Sequence, residues 1–375
     1  WVSFGKEDLA SPRWAELGLG APAALGDRTA LYEVGVDQLP RLAHEMHERF
    51  NRCGGFFAHA TRREAESDLR PHAVAPAGAY TVDQQSTVNP LLPKVKESEL
   101  RASIETLAAY HNRYYQAETG VAAAKAIQAR WQSLAAKIPG AAARLVTHAG
   151  WKQPSVVLTI PGSELPDELV VMGGHLDSIS GMWGGASARA PGADDNASGI
   201  AVLTEAVRVL GESGFRPRRT IEIMGYAAEE VGLRGSQEIA KQYQAAGKKV
   251  IGVVQFDMTN FRGSADDIYV LTDHVSPSLA EFLGALVDAY GLGKRGTTRC
   301  GYACSDHASW TKAGFAASAA FESAFDGMNK QIHSDRDTLA NSGGNAAHSA
   351  PFAKLAIAFA VELAKTSSAP AASGR

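Results

Sequence analysis

Three apolar runs between residues 169 and 256 each end in side chains that bind divalent metals, and no other feature constrains the fold as much. Residues 169–172 run into Gly173-Gly174-His175-Leu176-Asp177. Residues 221–226 run into Ala227-Ala228-Glu229-Glu230, and residues 250–256 end at Asp257. Short apolar runs separated by helical spacing, here at about 200–210 and 236–245, are the pattern of buried strands in a largely parallel sheet. In such a sheet ligands bind beyond the carboxyl ends of the strands. One polar residue at a strand end means little. Three acid or imidazole sets on the same edge are hard to obtain by chance.

The flanking sequence extends this pattern. Residues 156–160 and 268–271 read as further strands. Helices are expected at about 98–115 (Ser98 as cap), 121–137, 279–290 and 351–365. The fold class is therefore α/β, with a mixed, mainly parallel central sheet flanked by helices. Residues 1–80 read as a separate small α+β unit. They hold a strand near 31–36, a helix over 37–50 and a possible second strand at 56–58. A Pro-rich, aperiodic stretch at 71–79 follows and reads as a linker or cleavable junction. The catalytic unit spans 81–365, and the Ser/Ala/Pro-rich tail 366–375 reads as flexible.

The chemistry of the strand ends favours zinc. Zn²⁺ takes neutral imidazole nitrogens and carboxylate oxygens, and a catalytic site keeps one position open. Two ions about 3.5–4 Å apart require a bridging carboxylate. Asp194-Asp195-Asn196 precedes the helix near 200, so these residues could equally be an N-cap cluster; for Asp195 the neighbouring acids favour the metal. Asp177 is placed to accept a hydrogen bond from the second nitrogen of His175. Glu229 and Glu230 are adjacent and point apart, so one can hold metal while the other faces the reacting water. His307 reads as structural, and His333 is by pattern a lone histidine. His44-Glu45-Met46-His47 resembles HExxH but is one residue short, and reads as a solvated helix face.

Net charge is −3 and no stretch of about 20 apolar residues occurs, which argues against nucleic-acid and membrane partners. The chain opens on Trp1 with no visible signal peptide, so removal of an upstream segment is expected. Cys300 and Cys304, four residues apart, are equally compatible with two buried thiols and with a tight disulfide.

From about residue 86 to 365 the chain resembles the secreted bacterial leucyl aminopeptidases. They belong to the co-catalytic dizinc peptidase family that also includes glutamate carboxypeptidases, transferrin receptors and glutaminyl cyclases. Gly173-Gly174-His175-Leu176-Asp177-Ser178, Pro191-Gly192-Ala193-Asp194-Asp195, Ala227-Ala228-Glu229-Glu230-Val231-Gly232, Asp257-Met258-Thr259-Asn260, Cys300-Gly301-Tyr302-Ala303-Cys304-Ser305-Asp306-His307 and Ile332-His333 carry the resemblance. It implies the zinc-dependent exopeptidase fold and two Zn²⁺ per chain. Asp195 would bridge them, with Glu230 and His333 on one ion and His175 and Asp257 on the other.

The resemblance also implies Glu229 as general base, Tyr302 at the oxyanion, a Cys300–Cys304 disulfide and hence secretion, and a cis peptide at Asp195–Asn196. A pocket for the first side chain would be lined by Met258, Leu271, Cys300, Tyr302, Cys304, Ala319, Phe321, Phe325, Met328 and Ile332. Asn196 stands where an acid is common, which would weaken the hold on the substrate amine. Residues 1–80 take the place of an inhibitory or fold-assisting pro-region. Peptides with a free N-terminus are the implied substrates, and a monomer the implied state. A carboxypeptidase or cyclase on the same fold, and a metal-free receptor module, are the competing readings.

Overall fold

The computed structural model describes residues 1–50, 52, 54–70, 79–181 and 185–367. Cys53, most of the Pro-rich junction and the tail beyond 367 lie outside the described residues.

The N-terminal unit comprises β1 (Val2–Gly5), β2 (Ala24–Leu25), β3 (Thr29–Tyr32), α1 (Leu39–Phe50), β4 (Phe57–Ala58) and α2 (Arg62–Glu66). Its strands form an antiparallel sheet in the order β2-β3-β1-β4. Phe4, Trp14, Tyr32 and Phe56 form its aromatic centre, with Phe4 and Trp14 packed edge to face at 4.8 Å. This small core continues across a seam into Tyr114, Tyr115, Ile179, Ala228 and Val231 of the catalytic unit.

The catalytic unit contains α3 (Gln85–Val88), α4 (Glu97–Ala108), α5 (Glu118–Leu134), β5 (Ala142–Val146), β6 (Ser155–Ile160) and β7 (Leu165–His175). These are followed by α6 (Ala197–Ser213), β8 (Arg219–Tyr226), α7 (Arg234–Ala245), β9 (Lys249–Phe256) and β10 (Ile268–Leu271). Last come α8 (Pro277–Ala289), β11 (Arg295–Thr298), α9 (His307–Lys312), β12 (Ala317–Phe321) and α10 (Ser349–Ala364). Among the described residues the sheet has eight strands in the order β11-β10-β12-β9-β7-β8-β6-β5. The block β12-β9-β7-β8 is wholly parallel, and antiparallel pairings flank it.

From β7 the chain crosses through α6 to β8 on one side, then through α7 to β9 on the other. Such a reversal opens a crevice at the carboxyl ends of the strands. Helices α6 and α10 cover one face. Phe352, Leu355, Ile357, Phe359 and Val361 are all fully buried, so α10 is apolar around its circumference and acts as a core helix. Glycine at position 173 of β7 is enforced by space: a Cβ there would lie 2.4 Å from the Tyr226 ring.

Some expectations need correction. The helix expected over 98–115 spans only Glu97–Ala108, and its N-cap is Lys96 rather than Ser98. It stops early because the following residues are needed elsewhere: Arg113 turns inward, and Tyr114 and Tyr115 join the seam. Strands β1, β2, β5, β11 and β12 were not expected. β12, Ala-Ser-Ala-Ala-Phe, has none of the β-branched residues that mark strands, and β11, Arg-Gly-Thr-Thr, is a polar edge.

Candidate metal centre

His175 is the last residue of β7. Glu229 and Glu230 follow β8 by three and four residues, and Asp257 directly follows β9. The crevice therefore brings them together, and the turn before α6 supplies Asp195. His175, Asp195 and Asp257 form one potential metal group, and Asp195, Glu230 and His333 a second. Asp195 belongs to both: its Oδ1 lies 3.0 Å from His175 Nε2, and its Oδ2 lies 3.3 Å from His333 Nε2. His175 Nε2 is 3.4 Å from Asp257 Oδ1, and His333 Nε2 is 2.7 Å from Glu230 Oε2.

These spacings suit metal donors. A tetrahedral zinc with ligands about 2.0–2.1 Å away sets its donors about 3.3 Å apart. His175 Nε2 and Asp257 Oδ1 are buried and face each other with no hydrogen bond between them. Burial opposes protonation of His333, but Glu230 and Asp195 overcome it and raise its pKa to about 10. Burial and then Asp195 push Glu230 up to about 7. Burial above all, with the carboxylates of Glu230, Asp306 and Asp257, raises Glu229 well above the ordinary range. So much buried negative charge is the environment that two dications would offset.

The neighbours hold this geometry. The Asp177 carboxylate accepts the main-chain N–H groups of Glu229 (3.0 Å) and Glu230 (3.2 Å). It is 3.7 Å from His175 Nδ1, which instead lies 3.2 Å from the Asp177 main-chain oxygen. The expected hydrogen bond from the His175 ring to the Asp177 carboxylate is therefore not formed; the carboxylate instead fixes the glutamate turn. Asp194 faces away from the shared site: its side chain accepts from Asn260 N at 3.0 Å and Asn329 Nδ2 at 3.2 Å. Asp337 accepts from the main-chain N–H groups of Asp194 and Asp195, the latter at 3.0 Å. Ala228, Met258 and His333 all have φ between 54° and 56°. Left-handed backbone at three non-glycine residues at or next to the candidate ligands marks a site its surroundings over-determine.

Three further side chains take defined places, and among them only the reading of His47 changes. Asn196, joined to Asp195 by a cis peptide, spends its amide on the backbone: Oδ1 caps α6 through Gly199 N (2.9 Å), and Nδ2 donates to Phe256 O (3.0 Å). It acts as a capping residue of α6. His47 is not on a solvated face: its ring centroid lies 4.6 Å from that of His333, because α1 docks over the crevice. Burial, reinforced by His333, lowers its pKa to about 3. His307 is fully buried and belongs to neither metal group, consistent with a structural role.

Several residues carry the site without having been legible. Arg113, 1% exposed, donates to the carbonyls of Leu107, Leu176, Pro191 and Gly192. Ser305 Oγ donates to Asp257 Oδ2 at 2.5 Å. Arg52 lies 4.8 Å over the Tyr302 ring and is held by Asp8 at 2.7 Å. Only the buried acids beside the ligands could have signalled such partners, and they do not say which residues supply them.

Beside the centre, Met258, Leu271, Tyr302, Ala319, Phe321, Phe325 and Met328 line a cavity of about 20 Å³ with Cys300 and Cys304. Ile332 packs in the same apolar cluster without lining the cavity. The two cysteines form a disulfide, S–S 2.00 Å. The cavity has room for about one water, so a leucine side chain would have to open it.

Residues 155–358 match the model of peptidase family M28. A probable leucine aminopeptidase of Arthroderma benhamiae is 38% identical, over 95% of this chain and 98% of its own length. Leucine aminopeptidase 1 of Sclerotinia sclerotiorum is 34% identical over 91% and 90%. Among solved structures, the LapA aminopeptidase of Legionella pneumophila superposes with a TM-score of 0.84 at 29% identity, covering 97% of both chains. That coverage takes in the N-terminal unit as well as the catalytic one. On these matches and the site they enclose, the chain belongs to peptidase family M28 and is a hydrolase of that family.

Proposed function

We propose that this chain is a dizinc aminopeptidase that removes large apolar N-terminal residues, such as leucine, from peptides. The observation that carries the reading is Asp195, whose two carboxylate oxygens face two different histidines. His175 and Asp257 would hold one ion and Glu230 and His333 the other, with Asp195 between them. Zinc bound there would supply Lewis acidity toward the scissile carbonyl and make water more acidic.

The chain's own groups do the rest. Glu229, buried beside the shared carboxylate, takes a proton from the attacking water and passes it to the leaving amine. Tyr302 donates a hydrogen bond to the developing oxyanion. The apolar pocket beside Tyr302 receives the first side chain once Phe325 or Met328 gives way. The relatives named leucine aminopeptidases support leucine as the preferred residue, as does the apolar lining.

Residues 1–80 act in this reading as a pro-region. His47 against His333 and Arg52 over Tyr302 occupy the mouth of the site. Cleavage near 76–85 would then raise turnover. Secretion and a monomeric state complete the proposal.

Glu229→Gln tests the reading. It should keep two zinc ions per chain and lower the hydrolysis of Leu-para-nitroanilide at least a thousandfold. Normal turnover in that variant would remove Glu229 from the mechanism. A wild-type zinc content of one would favour a cyclase-like enzyme.

A further inference from the structure

The seam between the two units is mostly apolar, but one buried ionic cluster crosses it. Lys312, on α9 of the catalytic unit, places Nζ 2.6 Å from Asp68 Oδ1 and 2.7 Å from Oδ2. Both side chains are buried, at 9% and 5% exposure. The same Asp68 carboxylate accepts Ser3 Oγ at 2.5 Å and meets His59 Nε2 at 2.9 Å. Lys312 also reaches Gln237 Oε1 at 3.2 Å and sits 4.0 Å over the Phe57 ring. Around it, Ala58 N donates to Gly232 O at 3.0 Å, and Gln237 Nε2 donates to Ala58 O at 3.1 Å. One carboxylate of the N-terminal unit therefore gathers a serine and a histidine of its own unit and a lysine from across the seam.

We propose that Asp68 and Lys312 form an acid-sensitive latch that fastens the N-terminal unit over the metal centre. Removing one member of a buried ion pair strands the other in an apolar seam, whereas replacing both with apolar residues costs little. Acid sensitivity comes from His59. It is buried in the closed state; the charged groups facing its ring are Asp68, Lys312 and Lys241, and the Trp1 ammonium donates to its main-chain oxygen at 3.1 Å. A proton on its ring would place a third cation beside two lysines and one acid; Glu64, the remaining acid near Lys312, pairs with Lys241 at 3.7 Å on the exposed side. Burial accordingly lowers the His59 pKa to about 4, against 6.5 when the unit is released. The released state thus binds one more proton between those values, and closure weakens as pH falls through that window.

The latch belongs to the seam and not to the catalytic chemistry, so its test uses no activity. Amide hydrogen exchange on the full chain, corrected for intrinsic rates, reads opening of Val2–Gly5 and Phe57–Ala58, with Lys249–Phe256 as the internal control. In the wild type, protection of the two N-terminal segments should fall about tenfold from pH 6.5 to 5 while the control stays constant, and H59Q should flatten that slope. D68N or K312M alone should lower protection about 100-fold or more at pH 7.5, and the D68L/K312M pair should restore it to within tenfold of wild type. A wild-type profile flat between pH 6.5 and 5 refutes the acid sensitivity, even if no variant folds. Single variants that keep wild-type protection refute the latch, as does loss that affects the control equally.

Discussion

Replacing Arg113 with Met should loosen the metal centre from outside its ligand shell. The guanidinium is fully buried and donates to four main-chain carbonyls: Leu176 at 2.9 Å, Gly192 at 2.8 Å, Pro191 at 2.5 Å and Leu107 at 3.3 Å. Leu176 follows the candidate ligand His175, and Pro191 and Gly192 begin the turn that presents Asp195. Methionine fills similar space but removes the donor from Leu176 O and Pro191 O, whereas Gly192 O keeps the N–H of Ala197 at 3.0 Å and Leu107 O that of Tyr110 at 3.4 Å. A buried acceptor stripped of its partner costs about 1–3 kcal/mol. Two such losses, partly spared by relaxation, leave about 2–4 kcal/mol. At about 2 °C per kcal/mol for a chain of this size, Tm should fall by about 4–8 °C. Because the lost bonds orient His175 and Asp195, zinc affinity should drop about 10–100-fold. Differential scanning calorimetry and competition with a chromogenic chelator measure both effects. A Tm within 2 °C of wild type and unchanged zinc affinity would refute the reasoning.

Ser305→Ala removes the hydrogen bond to Asp257 Oδ2 and should weaken zinc at the His175 side about tenfold, with little change in Tm, as chelator titration would show. Asn196→Ala should cost about 1 kcal/mol through the lost cap of α6 while leaving KM for leucine amide unchanged; a large rise in KM would restore the residue to amine recognition. Met328→Ala should enlarge the apolar cavity and raise kcat/KM for phenylalanyl over leucyl substrates about 10-fold or more. Tyr302→Phe should lower kcat about 10–100-fold with KM nearly constant, since its hydrogen bond acts on the oxyanion.

The parts of this molecule that were legible are those where one short segment carries its own signal. The apolar runs at 169–172, 221–226 and 250–256 lie within β7, β8 and β9, and the residues at their ends meet in the crevice as strand-end logic requires. His333 was not legible that way. It sits in a left-handed turn between elements, and only the resemblance pointed to it. Asp194 and Asp195 could not be separated by pattern, because their roles depend on Asn260, Asn329 and Asp337, which lie 65 or more residues away. The place of His47 is hidden from the sequence for the same reason. Its helix has an ordinary amphipathic pattern, and His47 leaves solvent only because the N-terminal unit sets it against His333. Arg113 carries no local signal, since its partners are backbone carbonyls that every sequence has.

Zinc content after single ligand replacements tests the shared-carboxylate centre most directly. Wild type and Glu229→Gln should each hold two zinc ions per chain by inductively coupled plasma mass spectrometry after gel filtration. His175→Ala and His333→Ala should each retain one, and Asp195→Ala should retain close to none, because both ions depend on that residue. A wild-type ratio of one, or an Asp195→Ala chain that keeps both ions, would contradict the account.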